Sequence, residues 1–480
     1  MKMRLYELLD GVADTALEDC EITDISCDTR DNVGRGTLFV CYKRLNFDPH
    51  DSLLQLADKG VSVFITERDM GLKNQIIVPD GRLAYSQIWA NRFGNPERKM
   101  KFIGVTGTNG KTTTTTVIKR LLDSFGVKAG LIGTCQNEIG DRVLHAERTT
   151  PEPDEFFELL KDMADSGCQY VVMEVSSQGL SQQRLGNVYF DTAVFTNLTQ
   201  DHLDVHGSME NYYQAKKLMF SRCKKALVNT DDDGGRRLFD EISCEKYSFS
   251  IKDNADFTAD GIKLSAGGSC FWYSNSQKTF KVSILLPGSY NVSNCVAAMA
   301  ALELSGFSDS LITGGIGKIN GVRGRCEVVP TGRNFTVILD YAHTPDALVN
   351  ILENVRECSS GRIVCLFGCG GNRDAKKRPL MAKAAQSKAD FLIITSDNPR
   401  DEDPHEIIKE ILTGLSSDFS EYIEIDDRRE AIFRAVQNAR DGDVIVLAGK
   451  GHEDYQILAN GVKIHFDERE IVNDALKSLD

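Results

Sequence analysis

Residues 102–113 read Phe-Ile-Gly-Val-Thr-Gly-Thr-Asn-Gly-Lys-Thr-Thr: an apolar run, a glycine-rich turn and the start of a helical pattern. This order is typical of a loop that binds phosphate, because glycines let backbone N–H groups face an anion beside a helix N-terminus. Lys111 is then placed to reach the outer phosphates of a nucleotide, and Thr112 to bind Mg²⁺. Val105 stands where the strict pattern has glycine, so a plain glycine turn in an α/β core is the alternative.

Length and composition indicate an ordinary globular protein of several domains. The 480 residues suggest roughly three domains by the usual size of a domain. The net charge of −14 argues against a nucleic-acid partner and requires local basic pockets for an anionic substrate. The sequence predicts no membrane span and no signal peptide at its start. Its 13 cysteines have no paired zinc-type spacing, which favours reduced thiols in a cytoplasmic enzyme.

Three blocks of alternating strands and helices predict an α/β fold with three domains, at 1–98, 99–324 and 325–480. In the central block, the apolar runs 170–173 and 192–195 each lead into a polar cluster. That pattern is typical of a parallel sheet with functional residues at the carboxyl ends of its strands. The last block repeats it, with strands predicted at 336–339, 363–367, 391–395 and 444–447.

Two polar clusters extend the predicted phosphate site. Glu174 ends a strand that could lie beside the glycine loop, where a carboxylate would bind Mg²⁺ or order its waters. The segment 196–204, Thr-Asn-Leu-Thr-Gln-Asp-His-Leu-Asp, follows the next strand, so His202 could approach the same site. Taken singly, Glu174 would be a surface residue and His202 a structural histidine. Together with the glycine loop, they favour a metal and phosphate site.

In combination these motifs resemble the Mur ligases, and the resemblance covers nearly the whole chain. The resemblance is carried by segments 107–113, 149–152, 174–177, 201–204, 215–216, 288–291, 340–346 and 449–453. It implies an N-terminal α/β domain that binds UDP, a central P-loop ATPase-like domain with a parallel sheet, and a C-terminal Rossmann-like domain. It further implies a monomer that performs ATP-dependent amide ligation: a substrate carboxylate attacks the γ-phosphorus, and an amine then displaces phosphate from the acyl phosphate.

The resemblance also assigns residues to ATP, to Mg²⁺ and to catalysis. The residues implied for ATP are Gly107, Thr108, Asn109, Gly110, Lys111, Thr112, Thr113, Asn291, Arg325 and Asp340. Thr112 and Glu174 would hold one Mg²⁺, and Glu174 with His202 a second. Lys216 matches the lysine that the family carbamoylates with CO₂, which turns a cation into an anionic oxygen ligand. Without the resemblance, Lys216 would be read as a lysine on a helix surface.

The nucleotide-sugar substrate implied by the resemblance is UDP-N-acetylmuramoyl-L-alanyl-D-glutamate, bound in the first two domains. The residues implied for its uridine are Ser26 and Arg30, and those implied for its muramoyl-dipeptide are Thr149, Thr150, Ser176, Gln182 and Arg184. Hydroxyls and a guanidinium suit the amides and carboxylates of a peptide. This chain departs from the family pattern at 44–50, which reads Arg-Leu-Asn-Phe-Asp-Pro-His. The resemblance therefore implies the reaction but does not define the individual uridine contacts.

The segment 397–400, Asp-Asn-Pro-Arg, indicates which amino acid is added. Within the family this signature belongs to enzymes that add meso-diaminopimelate, because a planar guanidinium can grip the distal carboxylate that lysine lacks. The implied pocket is made by Arg373, Asp397, Asn398, Pro399, Arg400, Gly449 and Glu453. In it Arg373 would contact carboxylate and Glu453 the distal ammonium. A generic turn is the alternative reading of the segment.

Other functions stay open at this point. The chain could be the same kind of ligase acting on lysine or another diamino acid. Folylpolyglutamate synthetases share the phosphate loop, but the first domain and the Asp-Asn-Pro-Arg segment argue against them. A P-loop kinase or NTPase switch would leave the third domain unexplained. A non-catalytic scaffold is disfavoured because the lysine, glutamate and histidine of the predicted site are all present.

Overall fold

The computed structural model describes residues 2–44, 47–319 and 321–479, which form two compact units. The first unit comprises Met1–Ser248 with Leu304–Gly306, and the second comprises Phe249–Glu303 with Phe307–Asp480. The predicted α/β fold is confirmed. The predicted domain limits at 98 and 324 remain predictions.

The first unit begins with a small parallel sheet in the order β3-β4-β5-β6, beside an antiparallel pair β1-β2. Its strands are β1 (Met3–Arg4), β2 (Glu21–Ile22), β3 (Asp24–Ser26), β4 (Thr37–Val40), β5 (Val63–Thr66) and β6 (Gln75–Ile77). Its helices are α1 (Leu5–Leu8), α2 (Leu53–Asp58) and α3 (Gly81–Arg92). The two central strands β4 and β5 are buried along their whole length, as predicted for short β-branched and aromatic runs. Asp80 begins α3 by accepting hydrogen bonds from the N–H groups of Arg82 and Leu83.

A larger sheet follows, and it contains the glycine loop. Its strands are β7 (Lys101–Thr106), β8 (Ala129–Ile132), β9 (Asn137–Ile139), β10 (Arg142–Leu144), β11 (Tyr170–Glu174), β12 (Phe190–Phe195) and β13 (Cys223–Asn229), after which β14 (Glu245–Ser250) leads out of the unit. Its helices are α4 (Lys111–Ser124), α5 (Pro153–Asp165), α6 (Ser177–Ser181), α7 (Leu203–His206), α8 (Met209–Lys217) and α9 (Asp233–Glu241). The order β8-β11-β7-β12-β13 is parallel throughout.

The register of these strands brings three strand ends together. Glu174 at the end of β11 pairs with Val105 of β7, and Phe195 at the end of β12 pairs with Thr106. The glycine loop therefore begins between two neighbouring strands whose following segments also carry polar side chains. This arrangement confirms the predicted parallel sheet with polar clusters at its carboxyl edge.

The second unit opens with three antiparallel strands, β15 (Phe257–Ser265), β16 (Gly268–Ser274) and β17 (Thr279–Ile284). Helices α10 (Ser289–Leu304) and α11 (Asp309–Ile316) follow. The expected alternation of strands and helices over 99–324 does not hold for residues 257–284. A bulge in the β15 and β16 pairing and the mostly exposed strand β15 blur the sequence pattern of this hairpin.

The rest of the second unit is a six-stranded sheet in the order β18-β19-β23-β20-β21-β22, parallel except for β18. The strands are β18 (Glu327–Val329), β19 (Thr336–Asp340), β20 (Ile363–Phe367), β21 (Phe391–Thr395), β22 (Tyr422–Ile425) and β23 (Val444–Ala448), followed by the hairpin β24 (Tyr455–Ile457) and β25 (Lys463–His465). The helices are α12 (Pro345–Cys358), α13 (Lys377–Gln386), α14 (Pro404–Leu412), α15 (Arg428–Gln437) and α16 (Glu468–Lys477). The four strands predicted here are confirmed to within one residue.

Within the described ranges, no helix has both the length and the apolar character needed to cross a membrane. The 13 cysteines are all free thiols.

Gly104 in the middle of β7 tests how tightly the sheet below the glycine loop is packed. A Cβ at this position would lie 2.5 Å from Met219 Cε and 2.5 Å from a Phe190 ring carbon. We expect Gly104→Ala to lower the free energy of unfolding by about 1–3 kcal/mol, because the ring cannot yield freely. Gly267→Ala is the control, since its Cβ meets nothing within 4 Å. Urea denaturation measures both, and equal stability of the two variants would contradict the expectation.

Candidate functional site

The glycine loop is held in its turn by the segment after β12. Gly107 and Gly110 have φ angles of 150° and 85°, which favour glycine. A Cβ on Gly107 would lie only 1.9 Å from Thr196 Oγ1. The Thr108 N–H donates to the Asn197 carbonyl (2.9 Å), and the Asn109 N–H donates to Asn197 Oδ1 (2.8 Å). The loop thus has a fixed shape before the first turn of α4.

Two lysines converge on one carbonyl of this loop. The ammonium groups of Lys111 and Lys216 donate to Gly107 O at 2.8 and 2.7 Å. Lys216 is buried, and its ammonium also lies 4.3 Å from the centre of the Tyr212 ring. Burial lowers the pKa of Lys216 well below its ordinary value, and the nearby charge of Lys111 lowers it further. Lys216 is therefore a buried amine whose charged form is disfavoured by burial and by the neighbouring Lys111.

Glu174 is a buried carboxylate fixed by three donors. It accepts the Thr112 hydroxyl (3.0 Å), the Thr134 N–H (2.8 Å) and the Thr134 hydroxyl (2.9 Å). Gly133 makes room for it, since a Cβ there would lie 2.7 Å from Glu174 Oε1. The Thr112 hydroxyl and the Glu174 carboxylate together are oxygen ligands of the kind that Mg²⁺ prefers. The site therefore fits one such ion at the start of α4.

His202 occupies a different environment from Glu174. It has a left-handed backbone (φ 52°), and its side chain is about half exposed. The ring lies 3.5 Å from an Asp201 carboxylate oxygen and 6.2 Å, centre to centre, from Tyr212. In the part of the chain that the structure describes, which omits the Asp204 side chain, no three His, Cys, Asp or Glu side chains form a metal cluster. The second Mg²⁺ site thus stays a prediction.

The residues predicted for the muramoyl-dipeptide form one network beside Glu174. The Thr150 hydroxyl donates to Glu174 O (3.1 Å) and accepts the Ser176 N–H (3.0 Å). Arg184 donates to Thr150 O (2.8 Å) and to Gln182 Oε1. Through this network β11, α6 and the segment before α5 are joined at one place.

Thr149 joins the same network through Thr134, since their hydroxyl oxygens are 3.0 Å apart. The sequence analysis did not identify Thr134. The available signal was its position just after the buried strand β8, at the edge of the sheet where the other polar residues lie.

The residues predicted for uridine lie around β3. Ser26 is buried and donates to Asp31 Oδ2 (2.7 Å), whereas Arg30 is exposed and paired with Asp28. The Arg30 guanidinium lowers the pKa of the Asp28 carboxyl to about 2. In the segment 44–50, Leu45 and Asn46 lie outside the described residues. Its first residue, Arg44, donates to Cys27 O (2.7 Å), which joins the departing segment to the predicted uridine loop.

In the second unit, two of the residues predicted for the nucleotide, Asp340 and Asn291, are buried, and Arg325 is partly buried. Asp340 accepts the N–H groups of Cys326 (2.7 Å) and Ala342 (2.8 Å). Burial raises the pKa of Asp340, and the positive charge of Arg325 opposes this. The Arg325 guanidinium lies 5.3 Å from the centre of the Tyr341 ring. Asn291 is buried in the first turn of α10 and donates to Pro287 O (2.9 Å).

His452 lies in the loop after β23, with its ring 4.8 Å from Tyr341. Burial and the charge of Arg325 lower the pKa of His452 to about 4. At neutral pH this imidazole is uncharged, so His452 itself adds no cation beside Tyr341.

The residues predicted for the amino acid surround Asn398, which is buried at the end of β21. Asn398 Nδ2 donates to Glu453 Oε2 (3.0 Å). Arg400 Nη1 donates to Gly371 O (2.9 Å) and lies 3.5 Å from Asn398 O. Arg400 has a left-handed backbone (φ 53°), an uncommon conformation for a non-glycine residue. A guanidinium therefore lies near the backbone carbonyl of this buried residue, and a carboxylate contacts its side-chain amide.

The remaining residues of this group adjoin the same loop. A Cβ on Gly370 would lie 2.9 Å from Arg400 Nη1 and 3.7 Å from Arg373 Cγ, so both arginines border this glycine. Gly449 has a φ of 115°, and a Cβ there would lie 2.8 Å from Asp397 Oδ2. The Pro399 carbonyl approaches Gly371 even more closely, since a Cβ on Gly371 would lie 1.9 Å from the carbonyl oxygen. The structure therefore gathers the predicted residues around one glycine-lined turn.

Comparison with known proteins identifies the family. The family model of the Mur ligase middle domain matches residues 105–302, and that of the "Mur ligase, glutamate ligase domain" matches residues 324–451. The chain belongs to the Mur ligase family, so the resemblance predicted from its motifs is confirmed.

The relatives of full length carry a common name. The chain is 42% identical to the UDP-N-acetylmuramoyl-L-alanyl-D-glutamate–2,6-diaminopimelate ligase of Clostridium tetani, with 100% of this chain and 99% of the relative covered. It is 42% identical to the ligase of the same name from Geobacillus thermodenitrificans, with 95% of each covered. A solved structure of a UDP-N-acetylmuramoyl-L-alanyl-D-glutamate–2,6-diaminopimelate ligase is 32% identical, with a TM-score of 0.75 over 100% of this chain and 99% of that one.

A more distant structure shares the fold alone. It is the MurF ligase from Thermotoga maritima in complex with ADP, which is 18% identical with a TM-score of 0.60. The alignment covers 94% of this chain and 97% of that one.

Proposed function

We propose that this chain is the ATP-dependent ligase that joins meso-2,6-diaminopimelate to UDP-N-acetylmuramoyl-L-alanyl-D-glutamate in the synthesis of peptidoglycan precursors. The observation that carries the proposal is the group around Asn398, where the Arg400 guanidinium lies near the backbone carbonyl of Asn398 and the Glu453 carboxylate accepts from its side-chain amide. These two charges complement the carboxylate and ammonium at the distal end of diaminopimelate. Full-length relatives that bear the corresponding name support the same substrate.

In the proposed mechanism, the first half of the reaction takes place at the glycine loop. The substrate carboxylate attacks the γ-phosphorus of ATP, forming a bond from carboxylate oxygen to phosphorus as ADP leaves. Two anions must approach each other, so Lys111 and the N–H groups at the start of α4 would stabilise the charge that develops. Thr112 and Glu174 would hold Mg²⁺, which when bound neutralises phosphate charge. Residues Thr150, Ser176 and Arg184 would bind the peptide whose carboxylate reacts.

The second half forms the amide. The α-amine of diaminopimelate attacks the carbonyl carbon, a C–N bond forms, and the C–O bond to phosphate breaks as the amine loses a proton. The distal end of the amino acid must be held while this happens. Arg400 and Arg373 would bind its carboxylate, and Glu453 its ammonium, with the turn at Gly449 closing the pocket.

Lys216 is proposed as an N6-carboxylysine that takes part in a second Mg²⁺ site with Glu174 and His202. A neutral amine attacks CO₂, a C–N bond forms, and the nitrogen loses a proton to leave a carbamate. Two observations support this: the pKa of Lys216 is depressed by burial and by Lys111, and Lys111 would also stabilise the new negative charge. A monomeric state and a cytoplasmic location remain predictions from the sequence.

The proposed reaction is tested by phosphate release from Mg-ATP with UDP-N-acetylmuramoyl-L-alanyl-D-glutamate and either meso-diaminopimelate or L-lysine. We expect phosphate and a product of the ligated mass with diaminopimelate only. Arg400→Met should lower kcat/KM for diaminopimelate by about a hundredfold, because a charged hydrogen-bond partner is lost. Arg429→Met, which removes an exposed arginine paired with Asp474, is the control and should change little.

Turnover with lysine would still support a ligase activity, but it would contradict the proposed role of Arg400. Phosphate release without any amino acid would instead indicate an NTPase switch.

The carbamate is tested by chemical rescue. We expect Lys216→Ala to lower kcat by at least about a hundredfold, since an anionic ligand near the phosphates is lost. Formate or acetate should restore part of the activity by supplying a carboxylate. Lys217→Ala is the matched control, because Lys217 is the next residue and pairs with Glu241 on the exposed side of α8. Full activity of Lys216→Ala, or no rescue by either anion, would contradict the carbamate.

A further inference from the structure

Lys450 is a fully buried cation to which the proposed reaction gives no role. Its side chain has 0% exposure, and its ammonium donates to Asn398 Oδ1 (3.0 Å) and Tyr455 O (2.8 Å). It also lies 3.5 Å from Glu453 Oε2. An ammonium is costly to bury unless it is paired and hydrogen-bonded. Here every one of these partners belongs to the proposed amino-acid pocket or to the hairpin beside it.

These contacts fix the orientation of the Asn398 amide. Its oxygen accepts from Lys450 Nζ and from the Ile457 N–H (2.9 Å), and its nitrogen donates to Glu453. An ammonium and a backbone N–H can only donate. If the amide were reversed, its NH₂ group would face these two donors and form no hydrogen bond with either. The amide nitrogen therefore points at the Glu453 carboxylate because Lys450 and Ile457 hold the oxygen.

The orientation of Glu453 follows from that of Asn398. Its Oε2 atom accepts from the amide and lies beside the Lys450 ammonium, which sets the direction of Oε1. Lys450 thus gives the Glu453 carboxylate the fixed direction that it needs to bind a substrate ammonium.

The hairpin of β24 and β25 supports the same loop. Gln456 Nε2 donates to Asp397 O (2.6 Å), and the Arg400 N–H donates to Ile457 O (3.1 Å). Lys450 is bonded to this hairpin through Tyr455 O. It therefore links three segments, the Asp397–Arg400 loop, Glu453 and β24, at one nitrogen atom.

We propose that Lys450 is a positioning residue that makes the pocket select the distal ammonium of its amino-acid substrate. It acts through Asn398 and Glu453, while Arg400 binds the distal carboxylate. The inference rests on the proposed function. Without Lys450, only the Ile457 N–H holds the Asn398 oxygen, so the amide is held less firmly and Glu453 loses part of its fixed direction.

The test compares diaminopimelate with L-2-aminopimelate, which keeps the distal carboxylate but lacks the distal amine. In Lys450→Met, we expect KM for diaminopimelate to rise about 10- to 100-fold, because a charged partner in the pocket is lost. The inhibition constant of 2-aminopimelate against diaminopimelate should stay within about twofold, as should kcat and KM for ATP, since these do not depend on the distal ammonium. An equal loss for both amino acids would overturn the proposal.

Two further variants separate positioning from stability. In a Glu453→Gln background, Lys450→Met should add little to KM for diaminopimelate, since both changes act on one interaction. A full additional loss would overturn the proposal. Lys463→Met removes an exposed lysine from the same hairpin and should leave KM unchanged.

Lys450→Gln, which retains an N–H donor without the charge, replaces Lys450→Met if the latter does not fold. Failure of both to fold would assign Lys450 to stability and overturn the proposal. A wild-type protein that does not ligate diaminopimelate would refute the proposed function itself.

Discussion

The Thr112 hydroxyl and the Glu174 carboxylate lie 3.0 Å apart, and this contact joins the first turn of α4 to the end of β11. It exists because β7 and β11 are adjacent and parallel, so Glu174 pairs with Val105 just before the glycine loop. The same carboxylate binds Thr134, and its backbone carbonyl binds Thr150. Phosphate loop, candidate metal ligand and candidate substrate residues therefore depend on one buried acid.

In the second unit, the buried polar group that joins neighbouring segments is the Asn398 amide, whereas in the first unit it is the Glu174 carboxylate. Asn398 contacts Glu453, Lys450 and β24, and its neighbour Arg400 has a left-handed backbone. Both centres lie where the chain leaves a buried parallel strand, β11 in one unit and β21 in the other. This is the edge at which parallel α/β sheets ordinarily bind ligands. The two halves of the proposed reaction, activation of a carboxylate and capture of an amino acid, each have such a centre.

The sequence predicted the parts of this arrangement that are local. Gly107, Gly110 and Glu174 follow apolar runs of strand length, so both their positions and their shared edge could be deduced. The Asp397–Arg400 turn was found in the same way. The signature of the family then supplied roles for residues such as Lys216, whose own surroundings looked like a helix surface.

The parts that depend on distant contacts were not predicted. Thr134 reaches Glu174 across 40 residues, and Lys216 reaches Gly107 across 109, so neither contact has a local signal. The buried state of Lys216 and Lys450 arises from tertiary packing, whereas lysines are read as exposed in a sequence. The antiparallel strands at 257–284 were missed because a bulge interrupts the pairing of β15 with β16 and few residues of β15 are buried. His202 is half exposed, so its part in the site stays a prediction.

The account's central claim is that the substrate carboxylate is activated as an acyl phosphate. The most direct measurement uses UDP-N-acetylmuramoyl-L-alanyl-D-glutamate with ¹⁸O in the carboxylate that becomes the amide. Mass spectrometry of the phosphate released with ATP and diaminopimelate reads the outcome. Because the C–O bond breaks in the second step, the account predicts one ¹⁸O atom in each phosphate. Unlabelled phosphate would mean that water attacks ATP, and would contradict the claim.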